Sequence, residues 1–75
     1  MLEFNLNSEY IELVKLLKVM GLAPTGGHAK IIIESGEVFR NGEPELRKKA
    51  KLTVGDVIEI EGEKITIQQK PVNPA

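Results

Sequence analysis

Four basic side chains fall within five positions near the middle of the chain: Arg47, Lys48, Lys49 and Lys51. Positive charges at this spacing repel one another unless a polyanion or water screens them, and the nearby acids are too few to pair with all four. Each phosphate that such side chains neutralise releases counterions, which makes binding salt-dependent. The run therefore predicts phosphate contacts. A solvated basic loop is the ordinary alternative.

The charge of the chain is unevenly distributed around this run. The 75 residues carry a net charge of −1, yet the stretch from Lys15 to Lys51 holds eight lysine and arginine residues against four glutamates, a net charge of +4. A basic stripe raises the local potential even on a chain that is acidic overall. This segregation indicates an anionic partner.

A second candidate anion site is the start of a predicted helix, at Thr25, Gly26 and Gly27. Free backbone N–H groups and partial positive charge at a helix N-terminus can hold a phosphate, and Lys30 follows one turn later. An ordinary threonine cap beside a tight glycine turn explains the same residues. His28, the single histidine, allows a nucleic-acid contact, but it also fits a plain surface position.

Other residues extend or qualify this pattern. Lys15 and Lys18 lie three residues apart on the polar face of the first predicted helix. They either lengthen the basic stripe or serve only to keep the helix surface soluble. Lys30 and Glu34 stand at i, i+4, but such a pair contributes only about 0.3 kcal/mol, so Lys30 stays free to bind. Tyr10 can stack on a base, although its position favours closing the core.

Periodicity predicts the elements that position these residues. Alternating apolar residues predict a strand over residues 2–6, and helical spacing predicts helix one over about residues 9–20, capped by Asn7 or Ser8 and ended by Gly21. Helix two is predicted over residues 26–35, with Ala29, Ile32 and Ile33 on its apolar side. Three consecutive isoleucines also fit a buried strand, but the flanking cap and Gly36 favour a helix.

The sequence of the second half of the chain predicts two hairpins. Asn41-Gly42 between residues 38–40 and 43–45 predicts a type I′ turn, and Pro44 places its strand at a sheet edge or a bulge. Strands over residues 57–60 and 64–67 form the second hairpin. The predicted fold class is α+β, with two helices packed on a small mixed or antiparallel sheet. We expect one domain over residues 1–70 and a flexible tail over residues 71–75.

Composition excludes several functional classes. There is no cysteine and only one histidine, so thiolate metal sites, disulfides and most nucleophilic catalysis are disfavoured. No apolar run approaches the length of a membrane span. We expect a cytoplasmic monomer that is not an enzyme and has no metal, no cofactor, no small-molecule substrate and no membrane partner. Open sheet edges leave dimerisation conceivable.

An ordered set of short motifs resembles the RNA-binding domain first named from ribosomal protein S4. The resemblance covers about residues 9–60 and is carried by Gly21-Leu22-Ala23, Thr25-Gly26-Gly27-x-Ala29-Lys30, Ile33-x-x-Gly36-x-Val38, Asn41-Gly42-Glu43, Arg47-x-x-x-Lys51-Leu52 and Gly55-Asp56-Val57. Helix one, read as Ile11-Glu12-Leu13-x-x-Leu16-Leu17-Lys18, is similar to that of the small free-standing bacterial members.

The resemblance implies an L-shaped RNA-binding surface formed by the two helices and the strands that follow. It places Lys30 and Arg47 at positions where the family commonly has basic residues. The chain departs from larger relatives at Glu12 and Val14, where they have an arginine and an aspartate, and at Gly26-Gly27, which replace a more basic stretch. A module for structured, including ribosomal, RNA is therefore expected. A protein-interaction adaptor that meets a basic partner through an acidic hairpin is the alternative.

Overall fold

The structure is a computed structural model, and it describes residues 2–69. Its elements in chain order are β1 (Leu2–Leu6), β2 (Ile11–Glu12), α1 (Leu13–Val19), α2 (Gly26–Glu34), β3 (Val38–Arg40), β4 (Glu43–Pro44), β5 (Lys51–Leu52), β6 (Val57–Ile60) and β7 (Glu63–Gln69). The predicted tail over residues 71–75 lies outside the described residues. Within residues 2–69, no helix has the length and apolar character needed to cross a membrane.

Five strands form one mixed sheet in the order β1-β7-β6-β3-β4. β1 runs parallel to β7, with Leu2 opposite Ile65 and Leu6 opposite Gln69, and the other pairs are antiparallel. The α+β class, with two helices on a mixed sheet, is confirmed. Pro44 lies in the edge strand β4, as its missing N–H requires.

A second, two-stranded sheet pairs β2 with β5, with Ile11 opposite Leu52 and Glu12 opposite Lys51. This sheet is absent from the predicted elements, which place the residues of β2 in helix one. α1 begins only at Leu13, so the predicted caps Asn7 and Ser8 are wrong. Residues 11 and 12 remain extended because their backbones pair with β5.

Helix two agrees closely with its prediction. The Thr25 hydroxyl accepts a hydrogen bond from the His28 backbone N–H at 3.1 Å, and Gly36 follows the helix with a φ of +85°. The three isoleucines of residues 31–33 are helical rather than extended. Ile32 and Ile33 are buried, whereas Ile31 is 70% exposed.

Both hairpins turn through two residues with positive φ. Asn41 and Gly42 have φ values of 52° and 88°, as a type I′ turn requires. Glu61 and Gly62 form the second turn, so β7 starts at Glu63, one residue before the prediction, and continues to Gln69.

The core lies between the helices and one face of the sheet. The α1, α2 and strand residues meet there with almost no exposed surface, and the fully buried large side chains are Leu13, Leu16, Leu17, Ile33, Val38, Leu52, Ile58, Ile60, Ile65 and Ile67. Leu52 of β5 belongs to this set, so the small second sheet is packed into the same core as the large one.

Ile31 and Ile33 provide a matched test of this packing. Ile33→Ala removes a fully buried side chain and should lower the free energy of unfolding by about 2–5 kcal/mol. Ile31→Ala, on the exposed face of the same helix, should change it by less than about 0.5 kcal/mol. Urea denaturation measures both values, and equal effects of the two substitutions would contradict the assigned helix orientation.

Candidate nucleic-acid interface

Residues 46–51, here called the basic loop, connect the first hairpin to β5 and lie across the start of α1. The first two backbone N–H groups of the helix, at Leu13 and Val14, donate to the carbonyls of Ala50 and Lys48 at 3.0 and 2.9 Å. Glu12 precedes the helix and makes no side-chain cap. The loop backbone therefore satisfies N–H groups that would otherwise need a cap, and the helix in return fixes the loop.

Glu45 fixes the start of the basic loop. Its carboxylate is buried, and it accepts hydrogen bonds from the backbone N–H of Arg47 at 3.3 Å and from Nε and Nη2 of the same residue at 3.1 and 3.2 Å. This fork geometry sets the direction of the guanidinium. The Arg47 side chain nevertheless remains 75% exposed, and its unused N–H groups stay available to an external acceptor.

Arg40, at the end of β3, connects both ends of the basic loop. Its Nη2 donates to the Lys51 carbonyl at 2.9 Å and to Asp56 Oδ2 at 2.8 Å, while its Nη1 approaches Glu45 Oε1 at 3.5 Å. The side chain is only about a quarter exposed. Arg40 is one of the eight positive charges between Lys15 and Lys51, but the sequence predicts no role for it. Its structural role depends on one carboxylate five residues away and another sixteen residues away, which the fold brings together.

Asp56 holds the other side of Arg40. Its carboxylate accepts the backbone N–H of Thr53 at 2.8 Å and the side-chain amide of Asn41 at 3.0 Å, in addition to the Arg40 bond. The Thr53 contact closes the turn before β6, and the other two contacts connect that turn to Asn41 and Arg40 of the first hairpin. Burial alone would raise the pKa of Asp56, but these hydrogen bonds together lower it.

The pKa of Glu45 is also lowered. Its largest cause is the hydrogen bond from the Arg47 side chain; burial opposes the shift, and the Arg47 backbone N–H and Arg40 support it. Both carboxylates are therefore ionised at neutral pH. Glu45, Asp56, Arg40 and Arg47 together form a connected set of ion pairs next to the basic loop, here called the ionic cluster.

The lysines of the basic loop remain free to bind. The ion pairs found within residues 2–69 are Arg40–Glu45, Arg40–Asp56 and Arg47–Glu45. Lys48, Lys49 and Lys51 make none in this part of the chain. They line an open groove of about 700 Å³, whose full lining is Glu34, Arg40, Leu46, Arg47, Lys48, Lys49, Ala50 and Lys51. Such a cationic groove can hold phosphate groups.

Tyr10 extends this surface to the start of α1. The sequence favoured a core position, but the side chain is 40% exposed, and Lys51 Nζ lies 5.0 Å from the centre of its ring. Tyr10 and Lys15 belong to a second groove of about 510 Å³. The contact between Tyr10 and Lys51 thus brings Lys15 next to the basic loop.

The remaining candidate residues lie outside both grooves. The first turn of α2, with Thr25, Gly26, Gly27 and His28, is about 12 Å along the helix axis from Glu34, the α2 residue that borders the first groove. The basic loop therefore adjoins the C-terminal end of α2 and lies apart from the glycine-bearing start, the second candidate anion site.

Lys18 and Lys30 are exposed on α1 and α2 and line neither groove. The suggested Lys30–Glu34 ion pair is not among those formed within residues 2–69. Contacts of these two residues with a ligand stay a prediction.

The ionic cluster makes stability depend on pH. Because the pKa values of Glu45 and Asp56 are lower in the folded chain than in the unfolded one, the unfolded chain binds more protons as the solution is acidified. The free energy of unfolding should therefore be level above about pH 6 and fall as the pH drops below about 4.5.

Glu45→Gln should remove part of this acid sensitivity and lower stability at pH 7, since Arg47 and Arg40 lose a charged partner. Urea denaturation between pH 3 and 7 measures the effect. Glu43→Gln, at an exposed neighbouring residue outside the ionic cluster, is the matched control. A Glu45→Gln chain with the pH profile of the unmodified protein would contradict this account.

Comparison with known proteins shows the family of this chain. A family model described as S4 domain matches residues 4–68. The chain is 43% identical over 58 residues to a Bacillus subtilis protein named "Probable ribosome maturation protein RlbA", an alignment that covers 77% of this chain and 82% of that protein. It is 34% identical over 58 residues to YbcJ of Escherichia coli, covering 77% and 83% of the two chains.

A solved structure supports the fold assignment. The solution structure of YbcJ from E. coli superposes with a TM-score of 0.62 at 30% identity, covering 89% of this chain and 84% of that one. Its description attributes to YbcJ an alfaL motif involved in RNA-binding.

Proposed function

This chain belongs to the S4 family of RNA-binding domains, and we propose that its basic loop holds the phosphates of a structured RNA. The observation that carries the proposal is the set of three lysines, Lys48, Lys49 and Lys51, that line one groove and have no ion-pair partner within residues 2–69. Arg47 adds a fourth positive charge, and its hydrogen bonds to Glu45 orient the guanidinium.

Preorganisation of the loop supports this role. Hydrogen bonds with Glu45, α1 and Arg40 hold its backbone at the start, the middle and the end, respectively. Binding then does not require the loop backbone to become ordered, so less of the phosphate interaction energy is lost. In each contact between a loop lysine and a phosphate, only the lysine side chain is flexible.

The type of RNA follows from the chemistry of the surface. A-form RNA has a deep, narrow major groove that side chains cannot read, so proteins recognise it through backbone geometry. The basic loop offers point charges and few base-reading groups, which fits recognition of phosphate positions more than sequence. Similarity to a protein named for ribosome maturation supports ribosomal RNA as the target.

We rank the contact residues by their position in this surface. Arg47 and the three loop lysines come first. Lys30 and the start of α2 (Thr25, Gly26 and Gly27) would contact a more distant part of the same RNA. Lys15, Lys18 and His28 are secondary, and Lys15 is the member of this last group that lies in a groove adjoining the loop.

The remaining features of the proposal follow from this binding role. The chain acts as a single domain, in the cytoplasm and as a monomer. It catalyses no reaction and uses no cofactor, so its effect on RNA comes from binding alone. The alternative of a protein-interaction adaptor finds no support in the family match.

The salt dependence of binding tests the role of the loop lysines. Replacing Lys48, Lys49 and Lys51 together with glutamine should weaken binding to a ribosomal RNA fragment about tenfold or more at low salt. It should also reduce the slope of log affinity against log salt by about 2–3, because each lost phosphate contact lowers the slope by about 1. Fluorescence anisotropy at several salt concentrations measures both quantities.

Single substitutions supply the matched control. Lys49→Gln and Lys64→Gln each remove one exposed lysine, but Lys64 lies on β7 beside the acidic turn, outside the basic loop. Lys49→Gln should lower affinity and slope, and Lys64→Gln should change neither. Equal effects would indicate attraction by total charge and would refute a localised interface.

A further inference from the structure

Tyr10 is an exposed aromatic side chain placed beside the phosphate-binding groove. It is the only tyrosine, and the chain has no tryptophan. Its side chain is 40% exposed and lies outside the hydrophobic core cluster. One face of the ring is close to Lys51 Nζ, at 5.0 Å from the ring centre. Neither the core nor the phosphate contacts explain why an aromatic ring occupies this position.

The backbone around Tyr10 is fixed relative to the basic loop. The next residues form β2, which pairs with β5 so that Glu12 lies opposite Lys51. On the other side, the Ser8 hydroxyl donates a hydrogen bond to the Tyr10 carbonyl at 2.9 Å. The backbone that carries the ring is therefore held beside the basic loop, as a stacking platform requires.

The groove beside Tyr10 suits a base better than a phosphate. It measures about 510 Å³ and is lined by Ser8, Glu9, Tyr10, Ile11, Glu12 and Lys15. Two carboxylates in this lining repel a phosphate, but they can accept hydrogen bonds from the amino groups of a nucleobase. Ile11 and the tyrosine ring supply apolar surface. Lys15 leaves one positive charge at the margin for the attached backbone.

We propose that Tyr10 stacks on an unpaired nucleobase whose neighbouring phosphates are held by the basic loop, an inference that rests on the RNA-binding role proposed above. Stacking needs a free π-face, which a base inside a continuous A-form helix does not offer. The preferred ligand is consequently RNA in which an unpaired nucleotide adjoins a double-stranded segment. Lys51, which contacts both the ring and the first groove, lies where the base and its phosphate would meet.

Two RNA probes separate this site from general phosphate binding. One is a short RNA duplex with a single unpaired adenine, and the other is the same duplex without it. The unmodified protein should bind the bulged duplex more tightly, and its tyrosine emission, which comes from Tyr10 alone, should be quenched on binding. Tyr10→Ala should weaken binding to the bulged duplex about tenfold and binding to the paired duplex much less.

Two control variants sharpen the test. Tyr10→Phe keeps the ring and should retain the preference for the bulged duplex. Phe39→Ala removes an aromatic of similar exposure (38%) from a groove rich in glutamate, and it should alter neither affinity. If Tyr10 served only to position Lys51, Tyr10→Ala would weaken binding to both duplexes equally.

The outcomes distinguish the two proposals. Equal affinity for both duplexes, with unchanged tyrosine emission, would overturn the stacking site and leave the phosphate-binding role standing. A Tyr10→Ala variant that weakens both duplexes equally would also overturn it. Binding to neither duplex would overturn both proposals.

Discussion

The buried carboxylate of Glu45 is the constraint on which the binding surface depends. It lies where the chain leaves the first hairpin, and it contacts two arginines from opposite sides, Arg40 from the sheet and Arg47 from the loop. A buried carboxylate without such partners would be strongly destabilising, so the two arginines and the acid require one another. Arg40 also bonds the Lys51 carbonyl and thereby ties the far end of the loop to the same cluster.

This arrangement makes a dense run of positive charge compatible with a stable small fold. The loop turns the carbonyls of Lys48 and Ala50 toward the free N–H groups of α1, while Lys49 and Lys51 are exposed to solvent. Negative charge is concentrated elsewhere. The turn at Glu61 and Gly62 closes the end of β6 opposite to Asp56, about 17 Å away at the rise of an extended strand. An RNA approaching the loop therefore meets attraction at one end of the sheet and repulsion at the other.

Sequence reasoning predicted the features that depend on local chemistry. The Thr25 cap, the Asn41-Gly42 turn, the edge position of Pro44 and the burial of Ile32 and Ile33 each follow from one residue type or one period. It did not predict β2 and β5, because a strand of two residues has no detectable period. Each of these strands forms only by pairing with the other. The same limit applies to the site. The run of lysines was visible, but the Glu45 cluster depends on Arg40 and Asp56, which the fold brings together. Tyr10 was assigned to the core because the helix was started too early.

The most direct test of the central claim is an NMR titration of the labelled protein with a ribosomal RNA fragment. Our account predicts that backbone amide shifts change most for residues 46–51 and for the start of α1, which shares hydrogen bonds with the loop. Signals from the acidic turn at residues 59–63 should remain in place. Changes concentrated at the acidic turn, or spread evenly over the chain, would contradict a fixed cationic loop as the RNA-binding surface.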